Sequence, residues 1–288
     1  MNLQKLITLS AVFLLIFALL YPPTTAPCID ANTQPVTLSN IAMSEKLILK
    51  EDRARDEKLL LLTRNDRLAA EVIDQHSLIV GTRIVLVCRR EVYSWLVDHI
   101  RTSAAIANIF GKKYVVSPGS VHEYHGEDKE GLSVDFYRAY SDSTSTIYIG
   151  NGEVKILLFT ISGSFINFLE YNNSNSTQIV TQSCIYVRVN NPVTRFITNV
   201  IFAISDIEKG LMKKITTLDD TVFSIVNAFM DDPHIYRMLK EPEAPVPEGA
   251  SELAVKIRDT VVKETSPQAA RELGQLIEKA WIEVGLLK

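Results

Sequence analysis

Apolar positions change their period along this chain, and the changes mark its elements. From Glu45 to about Gln75, Leu47, Leu59, Leu62, Leu68, Val72 and Ile73 recur among charges of both signs, as on a solvated helix carrying i,i+4 pairs. Ser44 stands where a helix cap belongs. Glu51 and Lys58 break a heptad, so the pattern predicts a stalk, or a helix docking at one end, rather than a coiled coil. Ile79–Cys88 is rich in β-branched residues and reads as a strand. Arg90–Ile109 returns to helical spacing through Val92, Trp95, Leu96, Ile100 and Ile106, and Phe110-Gly111 stops it.

Alternation with period two then dominates. Tyr114–Val116 is short and extended, and Pro118-Gly119 predicts a turn. Val121–His125 and Leu132–Tyr140 read as strands around a polar Gly126–Gly131 loop. In the second, Leu132, Val134 and Phe136 share one face, and Ser133, Asp135 and Tyr137 the other. Thr144–Ile149, Glu153–Ile161, Phe165–Tyr171 and Thr177–Val189 follow. Asn151-Gly152 predicts a hairpin, because both residues tolerate positive φ. Ser162-Gly163-Ser164 predicts another turn. Ile179, Ile185, Val187 and Val189 point one way in the last strand, and Val180, Cys184, Tyr186 and Arg188 the other. Successive strands with short links predict an antiparallel meander.

Asn191 to Asp231 predicts one long amphipathic helix, with Asn191 as cap and Pro192 at its first position. Val193, Ile197, Val200, Ile201, Ile204, Ile207 and Leu211 form a stripe that Leu218, Val222, Ile225, Val226 and Phe229 continue past Gly210. Asp231-Asp232-Pro233 ends it. Glu241–Glu248 is a Pro-rich linker. Two short helices follow at about Ser251–Lys263 and Pro267–Leu286, whose apolar stripes must cover the domain or a partner.

Composition adds the compartment. Lys5 precedes Leu6–Leu20, an uncharged run that Tyr21-Pro22-Pro23 breaks. A basic start, an apolar core and the small-residue stretch Thr24-Thr25-Ala26 describe a secretory signal. Pro27 sits badly for cleavage after Ala26 and for a lipid on Cys28, so a cleaved signal, an uncleaved membrane anchor and a lipid anchor all stay open. All three place the remainder outside the cytoplasm, in a periplasm or its equivalent. The expected divisions are 1–26 as signal or anchor, 27–77 as linker and charged helix, 78–240 as the folded domain, and 241–288 as linker and terminal helices. A net charge of −4 with scattered Lys and Arg argues against nucleic acid, which needs a basic patch. Three cysteines, Cys28, Cys88 and Cys184, allow at most one internal bridge; buried free thiols are the simpler reading for the last two.

Candidate chemistry is sparse. No GxSxG, phosphate-cradling loop or HExxH is present. His122-Glu123-Tyr124-His125-Gly126-Glu127-Asp128 is rich in potential ligands, but at strand spacing His122 and His125 point to opposite faces. The reading assigns no metal and no cofactor. Asp135 and Tyr137 share a face and could orient a ligand hydroxyl, or act as acid and base. Tyr124 and Tyr186 are amphipathic strand residues of the same kind, and Ile197 and Ile204 would line the helix side of a cavity. Asn172-Asn173-Ser174 and Asn175-Ser176-Thr177 match the glycosylation acceptor pattern.

Strand, helix, antiparallel meander and long C-terminal helix, in that order over Leu78–Leu239, resemble the helix-grip fold of the START-like lipid-transfer and polyketide-cyclase superfamily. The resemblance implies an α+β fold in which a curved antiparallel sheet wraps a long C-terminal helix, here with flanking helical extensions. It also implies a cavity for a sterol, lipid or other apolar molecule. The resulting expectation is an exported, membrane-associated, non-enzymatic binding protein for a lipid-like ligand. Two alternatives stay open: a scaffold with a filled core, making homo-oligomeric or other contacts through its flanking helices, and a cyclase- or hydrolase-like enzyme. Fold alone does not choose among them.

Overall fold

In the computed structural model, residues 53–119, 123–129, 131–156, 159–173, 178–190 and 220–286 are described. They form an α+β fold around one open, curved sheet. Helix α1 spans Arg53–Asn65 and α2 Arg67–Gln75. Strand β1 is Leu78–Leu86; α3 (Arg90–Asp98) and α4 (Ile100–Ile109) follow. The meander is β2 (Tyr114–Pro118), β3 (Tyr124–Asp128), β4 (Leu132–Ser141), β5 (Ser145–Ile156), β6 (Phe159–Asn173) and β7 (Ile179–Val189). Helix α5 (220–231), α6 (Pro233–Lys240), α7 (Glu252–Glu264) and α8 (Pro267–Glu283) complete it.

The sheet has seven strands in the order β1-β7-β6-β5-β4-β3-β2. Every neighbouring pair is antiparallel. The meander therefore runs as predicted, and β1 closes against its last strand. Two expected turns are absent, however. Asn151-Gly152 lies inside β5 and Ser162-Gly163-Ser164 inside β6, directly across from each other. The glycines serve close packing instead of a turn. A Cβ on Gly150 would stand 2.3 Å from the Asp135 carbonyl oxygen, and one on Gly152 would stand 2.5 Å from Val134 Cγ1. Glycine inside a strand marks close approach as often as it marks reversal. The expected Gly126–Gly131 loop is likewise shortened, since β3 continues to Asp128.

The helices start where capping chemistry allows. Asp66, Asp232, Ser251 and Ser266 each accept a hydrogen bond from a first-turn amide of α2, α6, α7 and α8. Pro233 and Pro267 occupy first-turn positions that need no amide donor. The expected Arg90–Ile109 helix is broken at His99 into α3 and α4.

Two cores flank the sheet. On one face, Leu59, Ala69 and Val72 of α1 and α2 pack against Ile79, Ile147, Ile149, Ile166, Phe168, Cys184 and Tyr186. The charged segment, expected as a stalk or as a helix docking at one end, is laid over the sheet as α1 and α2. The second, larger core joins α3 to α8 with Ile84, Leu86, Tyr171 and Ile179. Within it, Trp281 Nε1 donates to the Phe229 carbonyl at 2.9 Å, and Gly274 lets α8 approach the α6 backbone so closely that a Cβ would sit 2.8 Å from Lys240 N. The apolar stripes of α7 and α8 therefore cover the domain itself. Of the long helix expected over Asn191–Asp231, Ile225, Val226, Ala228 and Phe229 are buried in this second core; its first part, with Ile197 and Ile204, lies outside the described residues. Cys88 and Cys184 are free and buried in different cores.

Candidate functional site

Strand register divides one face of the sheet into rows. The row Tyr137, Ile149, Ile166, Tyr186 and Ile79 runs across β4, β5, β6, β7 and β1. Ile147, Phe168 and Cys184 form the next. Both lie beneath α1 and α2, which act as a strap.

Three polar contacts hold the strap. Lys58 Nζ reaches Asp142 Oδ2 at 2.9 Å and donates to Ser145 Oγ at 2.8 Å. Tyr137 donates its hydroxyl to the Asp66 carboxylate, whose other oxygen accepts from Ala69 N at 3.0 Å and so caps α2. Arg188 Nη1 pairs with Glu71 Oε2 at 2.9 Å. Burial raises the pKa of Asp142, but the Lys58 ammonium, the Tyr140 hydroxyl and the Thr144 amide outweigh it and hold the carboxyl well below the usual range. Burial and then the Asp66 hydrogen bond push the Tyr137 hydroxyl up.

On the same face, one step beyond the strap, the rows become polar. His125, Asp135, Asn151, Ser164 and Arg188 are cross-strand neighbours on β3 through β7. Glu127, Ser133, Glu153 and Ser162 make the next row, and Asn190 N closes it onto the Ser162 carbonyl at 3.1 Å. His125 sits between two carboxylates, with Nδ1 2.8 Å from Asp135 Oδ1 and Nε2 3.1 Å from Glu127 Oε1. Hydrogen bonds to Asp135 and then Glu127 raise its pKa. Filling both contacts takes two N–H donors, which is the imidazolium form. Both ring nitrogens are then occupied and neither offers a lone pair to a metal. His122 lies outside the described residues.

Ser164 is buried at 1% exposure, with Oγ 2.8 Å from Asn151 Oδ1 and 2.9 Å from Asn190 Oδ1. One hydroxyl hydrogen serves only one of them, so the other asparagine must present its amide nitrogen to the serine oxygen. The row is thus a knitted network of neutral and charged groups, with its Arg188 end tied to α2.

The residues singled out from sequence are split by this arrangement. Asp135 belongs to the polar row, and Tyr137 and Tyr186 to the apolar row under the strap. Tyr186 is buried and meets the His76 ring edge-on at 5.9 Å. Tyr124 is on the opposite face, stacked at 5.2 Å on Phe136, where it borders a shallow cleft of about 160 Å³ with Asp98, Arg101 and Glu264. Burial, then the Glu123 hydrogen bond, pushes its hydroxyl up to about 12. Ile197 and Ile204 lie outside the described residues. Of the latches, Lys58 belongs to a charge run that reads from sequence as a solvated helix face, and Asp66 and Glu71 carry no sequence signal of their own. A cleft of about 290 Å³ beside Tyr236, Arg237, Lys240, Glu241 and Glu278 also escaped sequence reading. There Lys240 Nζ contacts both Glu278 carboxylate oxygens at 2.8 Å.

No family model matches the chain, and no curated protein matches it. Three solved structures are similar to about half of it. A conserved protein from Geobacillus kaustophilus is 14% identical with a TM-score of 0.39, the match covering 52% of this chain and 96% of that one. A hypothetical protein from Helicobacter pylori is 9% identical with a TM-score of 0.35, covering 51% and 87%. An uncharacterised protein from Rhizobium leguminosarum is 10% identical with a TM-score of 0.27, covering 52% and 97%.

Proposed function

We propose that the chain is a non-enzymatic interaction domain of an exported, membrane-held protein: a helix-grip-type sheet whose apolar face is filled by the chain's own α1–α2 strap. The observation that carries this reading is the packing of Leu59, Ala69 and Val72 onto Ile149, Ile166, Phe168 and Tyr186, fastened by the Lys58, Asp66 and Glu71 contacts. On this reading the strap seals that face, and the polar rows beyond it are what the domain offers to a partner. Asp135 and Tyr137 hold His125 and Asp66, so their roles are structural and not acid–base. Tethering through residues 6–20 would keep the domain close to a membrane on its outer side.

Native mass spectrometry of the full chain, extracted gently in a non-ionic detergent, tests this. The expected result is the polypeptide mass alone. A co-purifying lipid-sized mass that leaves only on unfolding would overturn the filled-face reading in favour of a carrier. Asp135→Asn and Tyr137→Phe should change stability and leave any cellular phenotype of the chain in proportion to that change; a phenotype lost at full stability would instead favour the enzyme.

A further inference from the structure

The outer end of the sheet hangs on a short ladder. Strands β2 and β3 form its last hairpin, and β3 meets β4 from Tyr124 opposite Phe136 to Glu127 opposite Ser133. At its start β2 is pinned to α4: Asn108 Nδ2 donates to the Tyr114 carbonyl at 2.8 Å, and Asn108 Oδ1 accepts from Tyr114 N at 2.9 Å. Within β3, His125 stands between Ser117 of β2 and Asp135 of β4. Its ring nitrogens reach Asp135 at 2.8 Å and Glu127 at 3.1 Å. Both contacts are partly open to solvent, so the proton they require exchanges with the medium.

We propose that His125 is a proton-operated latch: its imidazolium ties β3 to β4, and loss of the proton loosens the β2–β3 hairpin. Two carboxylate oxygens face the two ring nitrogens, and only the imidazolium has an N–H for each. A neutral ring has one N–H, so one carboxylate then confronts a lone pair. The surrounding charges act in the same direction. From β3 itself come Glu127 and Glu123, the second accepting from Arg138 N at 3.3 Å. From β4 come Asp135 and the Tyr137 hydroxyl, which donates to Asp66 of the strap. Glu153 of β5 stands across Ser133 from Glu127. Strand β2 places Ser117 opposite His125 and Val115 opposite Glu127, with Lys113 just before it. Among the described residues, His125 is thus the cation of this group that titrates near neutral pH. Hydrogen bonds to Asp135 and then Glu127 raise its pKa. The folded value therefore lies above the unfolded one of about 6.5, so the latch is fully present below that pH and is lost as pH rises through the folded value. It rests on these contacts and stands whether or not the polar rows receive a partner.

Amide hydrogen exchange of the full chain in a mild non-ionic detergent tests it, with each rate divided by the intrinsic rate at the same pH. Between about pH 5.5 and about pH 8.5, protection over Tyr124–Asp128 should fall about two- to thirtyfold, the worth of two solvent-exposed ion pairs. The central β5 and β6 amides should keep theirs. His125→Gln has no titrating proton in this range and should show the low, alkaline protection of the wild type at both pH values. That variant separates His125 from His99, which lines the cleft beside Tyr124. Glu127→Gln and Asp135→Asn should each lower the His125 titration midpoint followed by nuclear magnetic resonance. Wild-type protection over Tyr124–Asp128 that does not change with pH overturns the proposal. So does a folded His125→Gln chain that keeps the wild-type pH response, and so does a midpoint that Glu127→Gln and Asp135→Asn both leave in place.

Discussion

Asp66 performs two tasks with its two oxygens, and substitutions can separate them. One oxygen caps α2 through Ala69 N; the other accepts the Tyr137 hydroxyl from β4. Asp66→Ala removes both. A lost cap costs about 1 kcal/mol, and a hydrogen bond to a charged group about 1.5–3 kcal/mol, so the expected loss is about 2–4 kcal/mol. Asp66→Asn keeps the cap, since asparagine serves as well as aspartate there, and should cost about 1 kcal/mol by exchanging a charged acceptor for a neutral one. Tyr137→Phe should cost about 1–2 kcal/mol. With a urea slope of about 2–3 kcal/mol per M, Asp66→Ala moves the unfolding midpoint down by about 1 M. The double-mutant cycle of Asp66→Ala with Tyr137→Phe should show a coupling of about 1–2 kcal/mol, and amide exchange should accelerate in α2 before the central strands. Zero coupling would refute the claim that this contact fastens the strap. Equal losses for Asp66→Ala and Asp66→Asn would refute the cap.

Asp142 carries a sign-definite pH dependence. Its carboxyl is depressed in the folded state, so its contribution is fully present above the unfolded carboxylate pKa of about 3.9 and fades as pH falls through the folded value. Asp142→Asn should therefore be less stable than wild type at neutral pH, with the gap closing below about pH 4 in acid titrations followed by circular dichroism. Gly150→Ala should destabilise by more than about 2 kcal/mol in urea, because its Cβ would lie 2.7 Å from Phe136 Cβ as well as against the Asp135 carbonyl; a neutral result would mean that β4 and β5 can separate. In a Cys28→Ser background the folded chain should resist a thiol reagent and label at two sites in urea, since burial pushes the Cys88 thiol up to about 12 and raises Cys184 as well.

What the sequence made legible was local. The split of Ser133, Asp135 and Tyr137 from Leu132, Val134 and Phe136 needed only the strand period, and the register reproduces it. The stripe Ile225, Val226 and Phe229 likewise found a core. The failures came where a local signal served a distant neighbour. Asn151-Gly152 tolerates a turn, yet what selects glycine at 150 and 152 is the backbone and side chains of β4 across the sheet. Lys58 and Glu71 have the spacing of solvated charges, yet their partners Asp142 and Arg188 lie on strands far along the chain. The polar row was invisible for a related reason: each of its members is one unremarkable residue on its own strand, and only the register lines them up.

Why this face changes from apolar to polar follows from where the strap stops. Helix α2 ends at Gln75, and Ser77 N already donates to the Val187 carbonyl at 2.7 Å, so the chain drops into the sheet plane and becomes β1. Among the described residues, the core under α1 and α2 reaches no further in this direction than the Tyr137–Tyr186 row. Apolar residues there would stand in water, and the positions hold Asp135, Asn151 and Arg188, then Glu127, Glu153 and Ser162, the last three exposed. Ser164 is the instructive case. It is buried, and Asn151 and Asn190 both stand within hydrogen-bond reach of its hydroxyl, which is satisfied from both sides. The reach of the α1–α2 strap thus marks, among the described residues, how much of this face is sealed and where it turns polar.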